Sequence, residues 1–294
     1  MMAERIGLIG IGAMGGPMGQ NLLKAGHSLV IYSRTRTRPE VERLIQAGAT
    51  YVASPAEVGG SARITITMVG NVDDAQQVTR GLLSGMARGG MIIGMETIDP
   101  ATRRELEAQA TAKEVAYLDA PVSGGTIGAE RGTLTIMVGS TPEAFERARP
   151  FLSVLGTYIY HCGPIGSGAV AKLSNNWIYL ASMVSVVQAA RMAQRIKLDE
   201  ATTHEIWLKS TGDCVAVRTR VPFHNVVQNN PVDQDYRPGY PIEHALKDLK
   251  LIESSARELG ISTLGMPEVI SVYEAAVQQG LAKKDISATA EVLP

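Results

Sequence analysis

Lys172 and Asn176 are the two residues whose types and spacing best suit the movement of a proton. They stand on a run that opens at Gly163-Pro164-Ile165-Gly166-Ser167-Gly168 and continues, rich in Ala, Leu, Val, Met and Gln, to about Arg195. Such good helix formers, with no proline after Pro164, predict one long helix. On a helix this spacing puts both side chains on one face, one turn apart. Their neighbours Ala169, Val170, Ala171 and Leu173 are small or apolar. A lysine held among such groups has a lowered pKa and can donate or accept a proton. An asparagine one turn on can hold an amine in place. The plainer alternative is a lysine that snorkels at the surface. The glycines just ahead, which let another surface come close, favour the chemical reading.

A second motif asks for an anion. The apolar strand at residues 5–9 runs straight into Gly10-Ile11-Gly12-Ala13-Met14-Gly15, and a helix follows to about Ala25, closed by Gly26. In this strand-turn-helix frame, GxGxxG makes a tight turn, lets a pyrophosphate approach the second glycine and packs helix on strand at the third. Backbone N–H groups and the positive helix end then hold the phosphates. A glycine turn with no ligand is the alternative. The next strand, residues 28–32, ends in Ser33-Arg34-Thr35-Arg36-Thr37-Arg38. An NAD site usually has a carboxylate here for the ribose hydroxyls. A guanidinium with nearby hydroxyls instead suits a 2′-phosphate, so the reading is NADP(H) over NAD(H), against a solvated basic loop.

The elements that must position these residues alternate. Strands are predicted at 64–69, 91–93, 115–118, 134–138 and 158–160, with a helix at 100–112. This pattern predicts an α/β domain with a doubly wound sheet, parallel for most of its width. Ligands in such sheets sit outside the carboxyl ends of the strands. That edge would gather Met68-Val69-Gly70, Met95-Glu96-Thr97 and Asp119-Ala120-Pro121-Val122-Ser123-Gly124-Gly125. Ser123 offers a hydroxyl and the two glycines offer uncovered N–H groups, either a small nest for a carboxylate or an ordinary loop. Beyond Gly166 the pattern turns helical: the long helix, then 200–209, 241–259 and 267–279. Residues 229–239 read as a loop, with Pro231, Pro238 and Gly239 among asparagines and aspartates. The domain boundary falls near 163–166, giving domains 1–163 and 164–294. Lys247 and Asp248 lie early in their helix with His244 one turn before, as a structural ion pair or as site residues.

The totals exclude several classes. The 294 residues fit two domains or one large one. A net charge of −1 gives no electrostatic case for nucleic acid or an anionic membrane. Cys162 and Cys214 are far apart and lack a CxxC spacing, which suits a reducing, cytoplasmic setting with structural thiols. Met1-Met2-Ala3-Glu4-Arg5-Ile6 leads directly into the glycine motif, so no signal peptide is predicted. The apolar run 177–187 is too short to span a bilayer. Scattered histidines predict no metal site, and no GxSxG suggests a serine nucleophile.

With these residues in hand, the chain resembles the β-hydroxyacid dehydrogenases over essentially its whole length. Four blocks carry the likeness in the family's order: the glycine motif with Gly26-His27, Asp119 to Gly125, Gly163 to Asn176, and Lys247-Asp248-Leu249. The resemblance implies a Rossmann-type domain joined by a long helix to an all-α domain, in homodimers or homotetramers. It implies that Lys172 is the general acid/base and that Asn176 positions substrate beside it. Ser123, Gly124 and Gly125 would take the carboxylate of a small substrate, with Tyr240 and Asp248 lining the same site. Lys247 would approach the cofactor, Thr97 would lie beside the nicotinamide ribose, and Met68 and Val69 would follow the cofactor edge. Two departures stand out. Gly94-Met95-Glu96-Thr97 lacks the Asp and first Ser of the family's Asp-x-Ser-Thr, and Ser33-Arg34-Thr35 differs by one residue from the Asn-Arg-Thr of NADP-using members. The implied reaction is hydride transfer between nicotinamide and a small β-hydroxy acid or its semialdehyde. The alternatives are an imine reductase on the same architecture and a non-catalytic NADP-binding regulator. Lys172 speaks against the first, and Lys172 with Asn176 against the second.

Overall fold

The computed structural model describes residues 3–293; Met1 and Met2, the start of the leader reading above, lie outside them. The chain divides into two compact units, Met1–Lys172 and Leu173–Pro294. The first begins with β1 (Arg5–Ile9), α1 (Gly15–Lys24), β2 (Ser28–Tyr32), α2 (Pro39–Gln46), β3 (Thr50–Tyr51) and α3 (Pro55–Ser61). Next come β4 (Ile64–Thr67), α4 (Val72–Gly85), β5 (Met91–Gly94), α5 (Pro100–Thr111) and β6 (Ala116–Asp119). It closes with β7 (Val122–Ser123), α6 (Gly125–Arg131), β8 (Leu134–Gly139), α7 (Pro142–Leu155) and β9 (Gly156–Gly163).

These strands form one sheet in the order β3-β2-β1-β4-β5-β6-β8-β7, with β9 on β8. Pairing is parallel from β3 through β6; β8 runs antiparallel to β6 and β7, and β9 is parallel to β8. Central strands such as β1 and β5 read as apolar runs because both faces are covered, whereas β9 is mostly exposed. Ile6, Leu8, Ile31 and Ile93 enter one buried layer, while Ile9, Val30 and Ile92 enter the other, as the two-residue period of a strand requires. Side chains of Ser54, Asn71, Asp99 and Thr141 cap α3, α4, α5 and α7 by accepting an N–H three residues on.

Register aligns the functional edge. Ile9 lies opposite Tyr32 and Thr67, Thr67 opposite Gly94, and Gly94 opposite Asp119. The carboxyl ends of β1, β2, β4, β5 and β6 therefore finish level. The strand expected at 64–69 stops at Thr67 because Met68 leaves it to pack on the glycine turn after β1. The one expected at 158–160 is longer, since pairing with β8 carries it over Gly156–Gly163.

The second unit is helical. The long helix, α8 (Ser167–Arg195), begins in the first unit and runs into it, followed by α9 (Glu200–Lys209), α10 (Val215–Arg220), α11 (Ile242–Glu258) and α12 (Met266–Gln278). The segment read as a loop at 229–239 holds a 3-10 turn at Pro231–Gln234, and another 3-10 turn spans Ile286–Glu291. Leu180, Met183, Val187, Phe223, Ile252 and Tyr273 lie in the core of this unit. Among the described residues, no helix is long and apolar enough to cross a membrane. Both cysteines are free, Cys162 exposed and Cys214 half-buried.

Candidate active site

The turn between β1 and α1 uses each glycine differently. Gly10 sits at φ +94°, and a Cβ there would fall 2.2 Å from the Met68 carbonyl oxygen. A Cβ on Gly15 would fall 2.1 Å from the Gly10 carbonyl, so this glycine lets helix and turn touch. Gly12 alone of the three has room for a Cβ, which would meet only an Arg38 nitrogen at an ordinary contact distance of 3.5 Å. The first turn of α1 carries no acidic residue and no side-chain cap. The Gly16 and Met18 N–H groups bond the Gly12 and Met14 carbonyls, at 2.9 Å and 3.2 Å, and no carboxylate of that turn opposes the positive end of the helix, which favours an anion. The residues present fit a dinucleotide pyrophosphate lying across Gly10-Ile11-Gly12-Ala13-Met14-Gly15.

At the end of β2, Ser33 is buried and its hydroxyl donates to the Thr35 carbonyl at 3.3 Å. Tyr51 donates to the Ser33 carbonyl at 3.0 Å, and the Arg36 guanidinium lies 5.1 Å from the Tyr51 ring centre. Arg34 is exposed and pairs with Asp74 at 2.9 Å. An exposed pair of this kind contributes only about 0–1 kcal/mol, so Arg34 can turn to a better anion.

Two buried groups hold the sheet edge together: Arg103, which sequence reading missed, and Asp119, which it named only as the start of an edge segment. Arg103, on α5, is fully buried and bonds Glu96 at 2.7 Å. Asp119, the last residue of β6, accepts N–H bonds from Gly166 at 2.8 Å and Ala169 at 2.7 Å. Its carboxylate thus caps the start of α8 and ties it to the sheet. Burial pushes the Asp119 carboxyl above its ordinary range, against the pull of Arg103 and of those two N–H groups. Gly139 and Gly168 crowd it so closely that a Cβ on either would lie 2.2 Å and 2.8 Å from its oxygens. Lys172 follows Ala169 by less than one helical turn and is only 8% exposed. Ser123 closes β7, and Gly124 and Gly125 both take positive φ, +134° and +60°, where glycine is favoured. Thr97 is half-buried in the loop between β5 and α5.

In the second unit, the Asp248 carboxylate gathers three donors: the Tyr240 hydroxyl, the Asn176 amide at 2.9 Å and the Lys247 ammonium at 3.0 Å. Asn176 also reaches the Tyr240 oxygen at 3.3 Å. Burial, then the charge of Asp248, keeps Tyr240 protonated by raising its pKa well above the ordinary value. Asp248 is therefore an organiser of Asn176 and Lys247. Asp285, fully buried, accepts from Gly239 and Tyr240 N–H groups, each at 3.0 Å, and from Arg220 at 2.9 Å. That fixes the loop carrying Tyr240. Arg218 instead pairs with Asp213 at the surface. Among the described residues, no group of three or more His, Cys, Asp or Glu could hold a metal ion.

A dinucleotide turn on a doubly wound sheet, with a buried lysine on a helix tied to the same edge, defines a nicotinamide-dependent oxidoreductase. Residues 5–163 match the NAD-binding domain of 6-phosphogluconate dehydrogenase, and residues 166–293 match the NAD-binding domain of NADP-dependent 3-hydroxyisobutyrate dehydrogenase. The chain is 36% identical over 287 residues to an NAD-dependent L-serine dehydrogenase of Pseudomonas aeruginosa, covering 97% of this chain and 96% of that one. It is 33% identical to the mitochondrial 3-hydroxyisobutyrate dehydrogenase of Bos taurus, covering 98% and 86%. A Mycobacterium tuberculosis 3-hydroxyisobutyrate dehydrogenase structure with L-serine superposes with a TM-score of 0.93, at 29% identity and 99% coverage of both chains. The chain belongs to the β-hydroxyacid dehydrogenase family, and its first domain is an NAD(P)-binding one.

Proposed function

We propose that this protein interconverts a small β-hydroxy acid and its semialdehyde with NADP(H), Lys172 acting as general acid/base. One observation carries the reading: a buried amine less than a turn beyond the point where Asp119 ties α8 to the sheet edge that also carries the glycine turn. When bound, the dinucleotide supplies or takes up hydride at nicotinamide C4. In reduction, Lys172 donates its proton to the carbonyl oxygen; in oxidation, the neutral amine receives the hydroxyl proton. Asn176, one turn on, has its amide fixed by Asp248 and Tyr240, which supports a role in holding substrate beside the amine. Ser123, Gly124 and Gly125 take the carboxylate, and Lys247 approaches the cofactor. 3-Hydroxyisobutyrate and L-serine, on which similar proteins are named to act, both belong to this substrate class. The protein works as a homodimer or homotetramer in a cytoplasmic setting. Ile178 and Met192, exposed along α8, and Ile196 just past its end support self-association.

A panel of hydroxy acids, aldehyde acids and cyclic imines, followed by absorbance of the reduced cofactor, tests the reading. Turnover is expected with the acids and aldehyde acids. Turnover with cyclic imines alone would make it an imine reductase, and none with any would make it a regulator. Cofactor choice has its own test. Arg34→Ala is expected to lower the NADP-over-NAD ratio of kcat/KM by about tenfold or more, since a hydrogen bond to a charged group contributes about 1.5–3 kcal/mol. An unchanged ratio would show that Arg34 does not read the 2′-phosphate.

A further inference from the structure

Arg103 is a charged side chain with no route to water. It is 0% exposed, and Glu96 beside it is 1% exposed. Its Nη1 donates to Glu96 Oε1 and to the Tyr117 hydroxyl, each at 2.7 Å, and its Nη2 donates to the Glu96 main-chain carbonyl. The other Glu96 oxygen accepts from the Thr67 hydroxyl at 3.0 Å. Burial works to lower the guanidinium's pKa, but Tyr117, Glu96 and Asp119 outweigh it, and the charge stays. Gly94 is tailored to this arrangement. A Cβ there would lie 2.1 Å from Arg103 Nη1 and 2.8 Å from both the Glu96 carboxylate and the Tyr117 oxygen. The ends of β4 and β5, the Tyr117 side chain of β6 and the start of α5 are thus tied into one knot of polar groups.

A buried ion pair is a poor means of gaining stability, because well-packed apolar residues of similar size do as well or better. What an apolar pair cannot do is grip a main-chain carbonyl. The carbonyl gripped here belongs to the residue immediately before Thr97. The loop it fixes stands beside the turn where Met68 packs on Gly10, since Thr67 pairs with Gly94. We infer that Arg103 is a positioning residue, which through Glu96 sets where Thr97 stands against the nicotinamide half of a bound dinucleotide. This rests on the reading of the chain as a dinucleotide-dependent enzyme. The Glu96–Arg103 pair, with Gly94 beneath it, takes the place of the Asp and Ser that the family pattern has in this loop.

The test separates the two halves of the cofactor. The double variant Glu96→Gln/Arg103→Met removes both charges together and so strands neither. Calorimetric titration is run with NADPH and with 2′,5′-ADP, which lacks the nicotinamide half. The dissociation constant for NADPH is expected to rise about tenfold or more, the scale of a lost hydrogen bond, while that for 2′,5′-ADP stays unchanged. Gly94→Ala, whose methyl group displaces the guanidinium while both charges remain in the chain, should repeat the pattern. If NADPH binds the variants as well as it binds the wild type, or if both ligands weaken alike, Arg103 is structural and the inference is overturned. A wild type that binds NADH and not NADPH takes the same comparison with NADH and ADP-ribose, with the same two outcomes. One that binds no dinucleotide would remove the underlying reading, and this inference with it.

Discussion

Replacing Lys172 with alanine is expected to lower turnover by about 10²–10⁴-fold and to leave dinucleotide affinity unchanged. In activation terms this is about 3–5 kcal/mol, the usual scale for a proton transferred by a positioned group. The prediction depends on where the amine sits. At 8% exposure, on a helix start held by Asp119, it has little freedom to swing into solvent. The glycine turn lies on a different loop, so binding of the phosphates should not register the change. Lys172→Arg separates the charge of the amine from its ability to accept a proton. A guanidinium keeps the positive charge but is never deprotonated in proteins, so it cannot accept a proton from an alcohol. The arginine variant should therefore remain as slow as the alanine one in the oxidation direction. Steady-state rates across pH provide the check: the limb belonging to the amine disappears in both variants. Near-normal turnover in Lys172→Ala would remove this residue from the chemistry.

Much of the first unit was legible because its strands are short apolar runs bounded by glycines and turn residues. β2 and α9 fall on the residues expected, Ser28–Tyr32 and Glu200–Lys209, the latter capped by Asp199. α7 is different. Pro150 lies in its interior, and a proline there reads as a helix breaker. The candidate site divides along the same line. The glycine turn is local and shows itself by spacing, and so does the pair Lys172 and Asn176, which one helix places. The groups that hold them are distant in sequence: Asp119 reaches Gly166 and Ala169 across 47 and 50 residues, and Asn176 meets Asp248 across 72. No periodicity links such partners. Glu96 is another case, since in the sequence it is only a departure from a family pattern. Its meaning appears once Arg103 and Gly94 are seen to share its space.

Asp119→Ala is expected to damage both stability and turnover, because it strands the N–H groups of Gly166 and Ala169 in a buried place. Each unsatisfied donor costs about 1–3 kcal/mol, and for a domain of this size each kcal/mol lowers Tm by about 2–4 °C. Turnover falls with it, since Lys172 follows Ala169 by less than one helical turn and any drift of the helix start moves the amine. Asp119→Asn divides the two roles. Its amide keeps one acceptor but turns a donor toward the second N–H, so the helix start is still disturbed and turnover remains low. Stability should suffer less than with alanine, because burial holds the Asp119 pKa above its ordinary value, and the charge itself is unfavourable. The sign of the pH dependence follows. With the native pKa raised, the native state binds the proton more readily than the unfolded one, so this group adds stability as pH falls through the native value toward the ordinary carboxylate range. The asparagine side chain does not titrate. The stability difference between wild type and Asp119→Asn should therefore move in favour of the wild type on acidification, the reverse of a carboxylate held mainly by an ion pair. Denaturant titrations of both proteins at several pH values measure it. A difference that moves against the wild type would mean that the N–H groups and Arg103, and not burial, govern the state of this carboxylate.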